Sequence, residues 1–235
     1  MKILAAALPF LLLLVPAAAA AQGTEGAAPP KGLDISGGIT LLSDYRFRGI
    51  SRSDGDPALQ AQLTASLPNG LYAGGRATSL KGLPSGADAQ LDLYAGYSAA
   101  LGPATTFDVG VMSYAFPGGH GPSFYVEPYA SLSHTLGPVE ATLGAKYAPS
   151  QRAIGDEDSL YLFGEVEAGI PATPLTLTAQ AGRQDSGAFG SYWNWSVGGR
   201  YAFGPVEAGL SYVDTDLAPV RGRRAGLVAS LAFRF

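Results

Sequence analysis

The sequence predicts an all-β fold: a transmembrane antiparallel β-barrel of about 12 strands, of the outer-membrane type, with 10 or 14 strands as the alternatives. Three observations predict it. Apolar residues recur with a period of two and not 3.6, as in Leu227, Ala229, Leu231, Phe233 and Phe235. Most of the alternating stretches run for about nine to thirteen residues, the length a tilted membrane strand needs. The links between stretches are alternately tight and long, as hairpins threading a membrane require. Composition agrees: only 14% of residues are charged and 32 of 235 are Gly, where a soluble domain carries roughly 25% and ~7%. The cysteine count of 0 excludes a disulfide framework and a thiolate metal centre. A net charge of -4 with scattered Arg excludes a nucleic-acid footprint.

Taken in order, residues 1–21 read as a signal peptide. Met1 and Lys2 form the positive start, residues 3–15 the apolar run, and a small-residue tract follows Pro16. Residues 22–31 form a Gly/Pro/Ala linker, and 32–235 the barrel. Strands are expected at 34–47, 57–67, 71–79, 88–99, 104–115, 123–135, 138–148, 158–170, 174–183, 192–203, 205–214 and 223–235. Tight turns at 68–70, 101–103, 136–138, 171–174 and 203–205 follow the even strands. Longer polar links, such as 51–56, 149–157 and 215–222, follow the odd ones. With a periplasmic N-terminus the long links face outward, which places the chain in the outer membrane of a Gram-negative cell.

Alternation also assigns the faces. Ile35, Ile39, Leu41, Val109, Leu143, Leu162 and Val197 point to lipid. Tyr45, Phe47, Tyr97, Tyr147, Trp193, Tyr201 and Phe235, near strand ends, suit interfacial girdles. The inward face collects the pore-lining candidates Asp44, Arg46, Arg48, Arg76, Asp88, Asp92, Tyr94, Asp108, Glu127, Glu140, Lys146, Glu165, Glu167, Arg200, Glu207 and Arg234. They either hydrate a channel or cross-pair and fill it, because twelve strands fall between a filled and an open barrel. The run 44–51 places Asp44, Arg46 and Arg48 on the lumen side at the mouth, or else in a charge network with Asp54 and Asp56. A last strand ending in Phe233 and Phe235 matches the signal read by the barrel-assembly machinery. His120 and His134 fall at opposite ends of the barrel, so no nucleophile–base pair is expected, nor any cofactor or metal. The expected partners are outer-membrane lipid, lipopolysaccharide and small hydrophilic solutes, with a monomer as the default.

The run Ser43-Asp44-Tyr45-Arg46-Phe47-Arg48-Gly49-Ile50-Ser51 is the most distinctive in the chain, continuing through Asp54, Asp56, Pro57 and Gln60. Together with residues 92–97, 195–198 and 212–216 it resembles the TorF-type porins of proteobacterial outer membranes, across 32–235. That resemblance implies a porin-like channel for passive diffusion of small hydrophilic solutes or ions. A closed structural or adhesive barrel is the alternative.

Overall fold

The computed structural model describes residues 32–235; the expected signal peptide and linker lie outside the described residues. The chain forms β1 (Asp34–Leu42), a small hairpin of β2 (Arg46–Phe47) and β3 (Ile50–Ser51), then β4 (Ala58–Ser66) and β5 (Leu71–Ser79). There follow β6 (Ala89–Ala100), β7 (Thr105–Ala115), β8 (Phe124–Leu136) and β9 (Val139–Gln151). The last five strands are β10 (Glu157–Gly169), β11 (Leu175–Ser186), β12 (Tyr192–Phe203), β13 (Val206–Thr215) and β14 (Gly226–Arg234). All except β2 and β3 join one antiparallel sheet that closes where β1 pairs with β14. The seam is completed by paired backbone bonds between Gly37 and Phe235, at 2.9 and 3.0 Å. Closure leaves no unpaired edge, the condition for strands in hydrocarbon.

The tight turns have a physical cause. Gly137 and Gly204 have φ of 60° and 64° and are each followed by a proline with its fixed negative φ. That sign order is the one of the type II′ turn, whose twist matches the flanking strands. All tight turns lie at one end of the barrel, the turn end. Residues 43–57, 80–88, 116–123, 152–156, 187–191 and 216–225 make the other, the loop end.

The two faces separate as the pleat dictates. Leu93, Leu143, Val197 and Leu227 are 61–71% exposed on the outer face, an apolar belt that only lipid could cover. Inside, five aromatic rings lie against the wall over inward-facing glycines: Tyr94 over Gly74, Tyr72 over Gly96, Tyr129 over Gly110, Phe163 over Gly144 and Tyr161 over Gly182. A Cβ at Gly74 would come within 2.5 Å of the Tyr94 ring. The high glycine content is therefore partly the space these rings occupy.

One expected strand is wrong in its second half. β1 ends at Leu42, not at 47, and the chain then folds into the barrel. Phe47 and Ile50 pair across a two-residue turn whose central residues, Arg48 and Gly49, have φ of 50° and 82°. Two positive φ values in succession are the mark of a type I′ hairpin, usually announced by Asn-Gly. Here an Arg-Gly pair makes it, so the alternation of charge and aromatic mimics a continuing strand. Tyr45 and Phe47 accordingly do not face lipid; both are buried inside, 4% and 6% exposed.

Candidate channel lumen

Twelve strands about 4.8 Å apart and tilted about 40° enclose a backbone cylinder about 24 Å across. Inward side chains from opposite walls leave roughly half of that width, enough for one more layer of polypeptide. The hairpin of 43–57 supplies that layer at the loop end.

Its tip is Arg48. Leaving the wall between β1 and β4, Arg48 reaches Glu127 on β8, where Nη2 donates to both carboxylate oxygens at 2.7 Å. Nη1 donates to Gln184 Oε1 on β11 at 2.6 Å. The guanidinium also lies 4.2 Å from the Tyr161 ring centroid, and the Tyr114 hydroxyl donates to Glu127 at 2.9 Å. Arg48 and Glu127 are 3% and 1% exposed, so this ion pair is fully buried. Removing one partner of such a pair typically costs about 3–5 kcal/mol, because the other charge stays buried.

Aromatic contacts seat the rest of the hairpin. Phe47 meets Tyr114 edge-on at 5.6 Å, and Arg52 stacks over Phe47 at 3.6 Å while donating to Gln90 on β6 at 2.6 Å. Gly49 abuts Thr215, and a Cβ there would lie 3.0 Å from that of Asn194. The base is tied internally by Asp44, which accepts from Arg46 at 2.7 Å, Ser51 at 2.6 Å and Ser53 at 3.0 Å. Neighbouring loops hold it from both sides: Asp54 pairs with Arg221 at 2.6 Å and Asp56 with Lys81 at 2.5 Å. Lys81 holds the Asp56 carboxyl below the ordinary aspartate range by donating to it, and Asp56 raises Lys81 in return. Asp44 and Arg46 thus belong to a network that anchors the first hairpin, with Asp54 and Asp56 fixing its rim.

Pairs on the wall follow a different rule. Arg76 and Asp92 are direct cross-strand partners on β5 and β6, joined at 2.6 Å. Arg200 on β12 contacts Glu167 on β10 at 2.8 Å, and Arg234 on β14 binds Glu207 on β13. These links run around the wall and leave the axis alone. Asp108 accepts from Tyr72 at 2.8 Å, and Tyr72 also bonds Tyr129; the Tyr94 hydroxyl bonds Thr64 at 2.7 Å. Glu140 accepts from Thr135 at 3.3 Å, while Glu165 faces inward beside Glu167. The turn-end half therefore holds Glu140, Glu165, Glu167 and Glu207 against Arg200 and Arg234. Lys146 stands mid-wall, 0% exposed, 5.8 Å and 5.9 Å from the Tyr129 and Phe163 ring centroids. Its Nζ makes no hydrogen bond among the described residues.

Asp88 lies one residue before β6, exposed at the loop end and in the alternation register of Gln90 and Asp92. The carboxamides Gln90, Gln180, Gln184 and Asn194 and the hairpin's Arg52 all face the lumen and were not among the candidates. The same period-two alternation marks the four carboxamides. His134 bonds Thr105 at the turn end, 2.9 Å away, whereas His120 lies in the loop 116–123. Among the described residues, no group of three or more His, Asp or Glu is arranged to hold a metal ion.

A closed antiparallel barrel with an apolar belt outside and ion pairs within has the architecture of a membrane-spanning β-barrel of the porin kind. The chain belongs to the Gcw_chp family, described as a bacterial protein of unknown function, whose match spans residues 25–229. No curated protein matches it by sequence. Among solved structures it is similar to the KdgM porin, at 8% identity and a TM-score of 0.61, over 86% of this chain and 98% of that one. The NanC porin is similar at 14% identity and a TM-score of 0.58, over 87% and 99%. An outer-membrane channel from Pseudomonas putida F1 is similar at 13% identity and a TM-score of 0.50, over 90% and 98%. At such identities the likeness establishes the fold.

Proposed function

We propose that the protein is a porin-like channel of the outer membrane, passing small hydrophilic solutes or ions by passive diffusion. The observation that carries this is the inner face itself. A barrel built only as a membrane staple has no need to align Asp, Glu, Lys and Arg along its axis, where burial is costly. The porins that share the fold, and the resemblance of 43–60 to the TorF-type porins, support the same reading. On it, the loop end faces outward among lipopolysaccharide. The barrel inserts as a monomer after the assembly machinery reads Phe233 and Phe235. The excess of carboxylates in the turn-end half favours cations.

Purified protein in planar bilayers should give stepwise conductance, with a reversal potential in a salt gradient of the sign expected for cations. The reading fails if neither the wild-type chain nor one with a shortened first loop conducts. A closed structural barrel is the second reading, favoured by the buried Arg48–Glu127 pair across the lumen.

A further inference from the structure

We propose that the hairpin of residues 43–57 is a gate inside the lumen, and that Arg48 on Glu127 is its latch. The inference rests on the channel reading and names the part of the lumen that decides whether solute passes.

Three features mark a movable part, as distinct from wall. The first is reach. The wall pairs join strands one or two places apart, whereas Arg48 departs between β1 and β4 and binds β8 and β11 on the far side. Anything travelling along the axis meets this crossing. The second is how the tip is held. Residues 46–50 pair in their backbone only within β2 and β3, and the tip is fixed to the barrel through side chains: Arg48, Phe47 on Tyr114, the Thr215 side chain against Gly49, and, at the edge of the tip, Arg46 Nη1 on the Arg224 carbonyl at 2.7 Å. The base, in contrast, is tied by backbone bonds: Ser51 N–H to Gly222 O at 2.8 Å, and Lys81 N–H to Arg52 O at 3.0 Å. A tip on side-chain contacts above a base on backbone bonds can swing without unravelling the ladder. The third is conformation. Arg48 is held at φ 50°, left-handed backbone that disfavours a residue with a Cβ, and its buried contacts offset that strain. Loss of those contacts shifts the balance toward the released state.

Permeation then works as a competition. With the latch made, the guanidinium and the rings of Phe47, Tyr114 and Tyr161 fill the axis. With the tip swung toward the loop end, Glu127 loses its bonded cation and keeps the Tyr114 hydroxyl and the more distant charge of Lys146, an acidic step in line with the carboxylates nearer the turn end. A hydrated cation is the ligand that this exposed carboxylate would take in place of Arg48.

The test is single-channel recording of the full chain carrying Arg48→Ala, of the charge swap Arg48→Glu with Glu127→Arg, and of a chain in which 45–52 is replaced by a short Gly/Ser link. Folding of each is checked by the mobility shift of unheated barrel on gels and by circular dichroism. Arg48→Ala should lengthen open dwell times at least about tenfold, since the lost contacts belong to a buried ion pair. The swap should return dwell times toward wild type, and the shortened loop should abolish long closures and raise unit conductance. A silent wild type beside a conducting shortened chain supports the gate. Folded variants that conduct like wild type overturn the gate and leave the channel reading standing. Silence in every chain overturns both.

Discussion

At the scale of single residues, the bonded arginines of the wall contrast with Lys146, whose Nζ makes no hydrogen bond among the described residues. Arg76, Arg200 and Arg234 each meet a carboxylate on a strand one or two places away, so each desolvated charge is compensated locally. Lys146 lies against the faces of Tyr129 and Phe163 and feels the Glu127 carboxylate only across space, without a bond to it. Lys146→Met keeps the volume and removes the charge. Its urea unfolding midpoint in micelles should rise, by about 1 kcal/mol or more of stability. The same substitution should strengthen cation preference in a salt gradient, because a fixed positive charge is removed from the wall beside the conduction path. A midpoint lower than that of the wild type would show that the attraction of Glu127 outweighs the cost of burying the Lys146 charge.

Among the elements, the lipid-facing strands and the inward hairpin answer to different physics. Leu162 is 47% exposed on the outer face in the middle of β10, far from both ends of the barrel. Leu162→Arg should destabilise the barrel in bilayers by about 2–4 kcal/mol, measured by reversible unfolding from lipid vesicles. A silent substitution at Leu227, close to the loop end, would set the depth scale. Twelve barrel strands and their faces were legible from the sequence because one rule, alternation against a membrane, governs all of them. The hairpin was not, because Asp44 to Arg48 alternates just as a strand does. What turns the chain is a pair of positive φ angles at Arg48 and Gly49, and Arg rarely signals such a turn. The exact start of β6 was hidden for a related reason: alternation states a direction but not where the strand begins. The partner of Glu127 was also hidden, since no local pattern says that residue 48 meets residue 127 across the lumen.

For the molecule as a whole, the arrangement of long and short links makes topology testable, and the absence of cysteine makes the test clean. Arg221→Cys, in the loop 216–225, should label in intact cells with a membrane-impermeant maleimide. Asn69→Cys, in a tight turn, should label only after the outer membrane is opened. The reverse pattern would invert the orientation assigned to the barrel. The bonding of Gly37 to Phe235 has a consequence for chain connectivity. Because the first and last strands are hydrogen-bonded neighbours, the cylinder is continuous through the point where the polypeptide is not. Joining residue 235 to residue 33 through a short linker and opening the chain between Gly155 and Asp156 yields a circular permutant with every ladder intact. That permutant should refold in detergent to a heat-resistant barrel, since every strand keeps both of its neighbours. Failure to refold would mean that the seam between β1 and β14 cannot form once the chain is continuous across it.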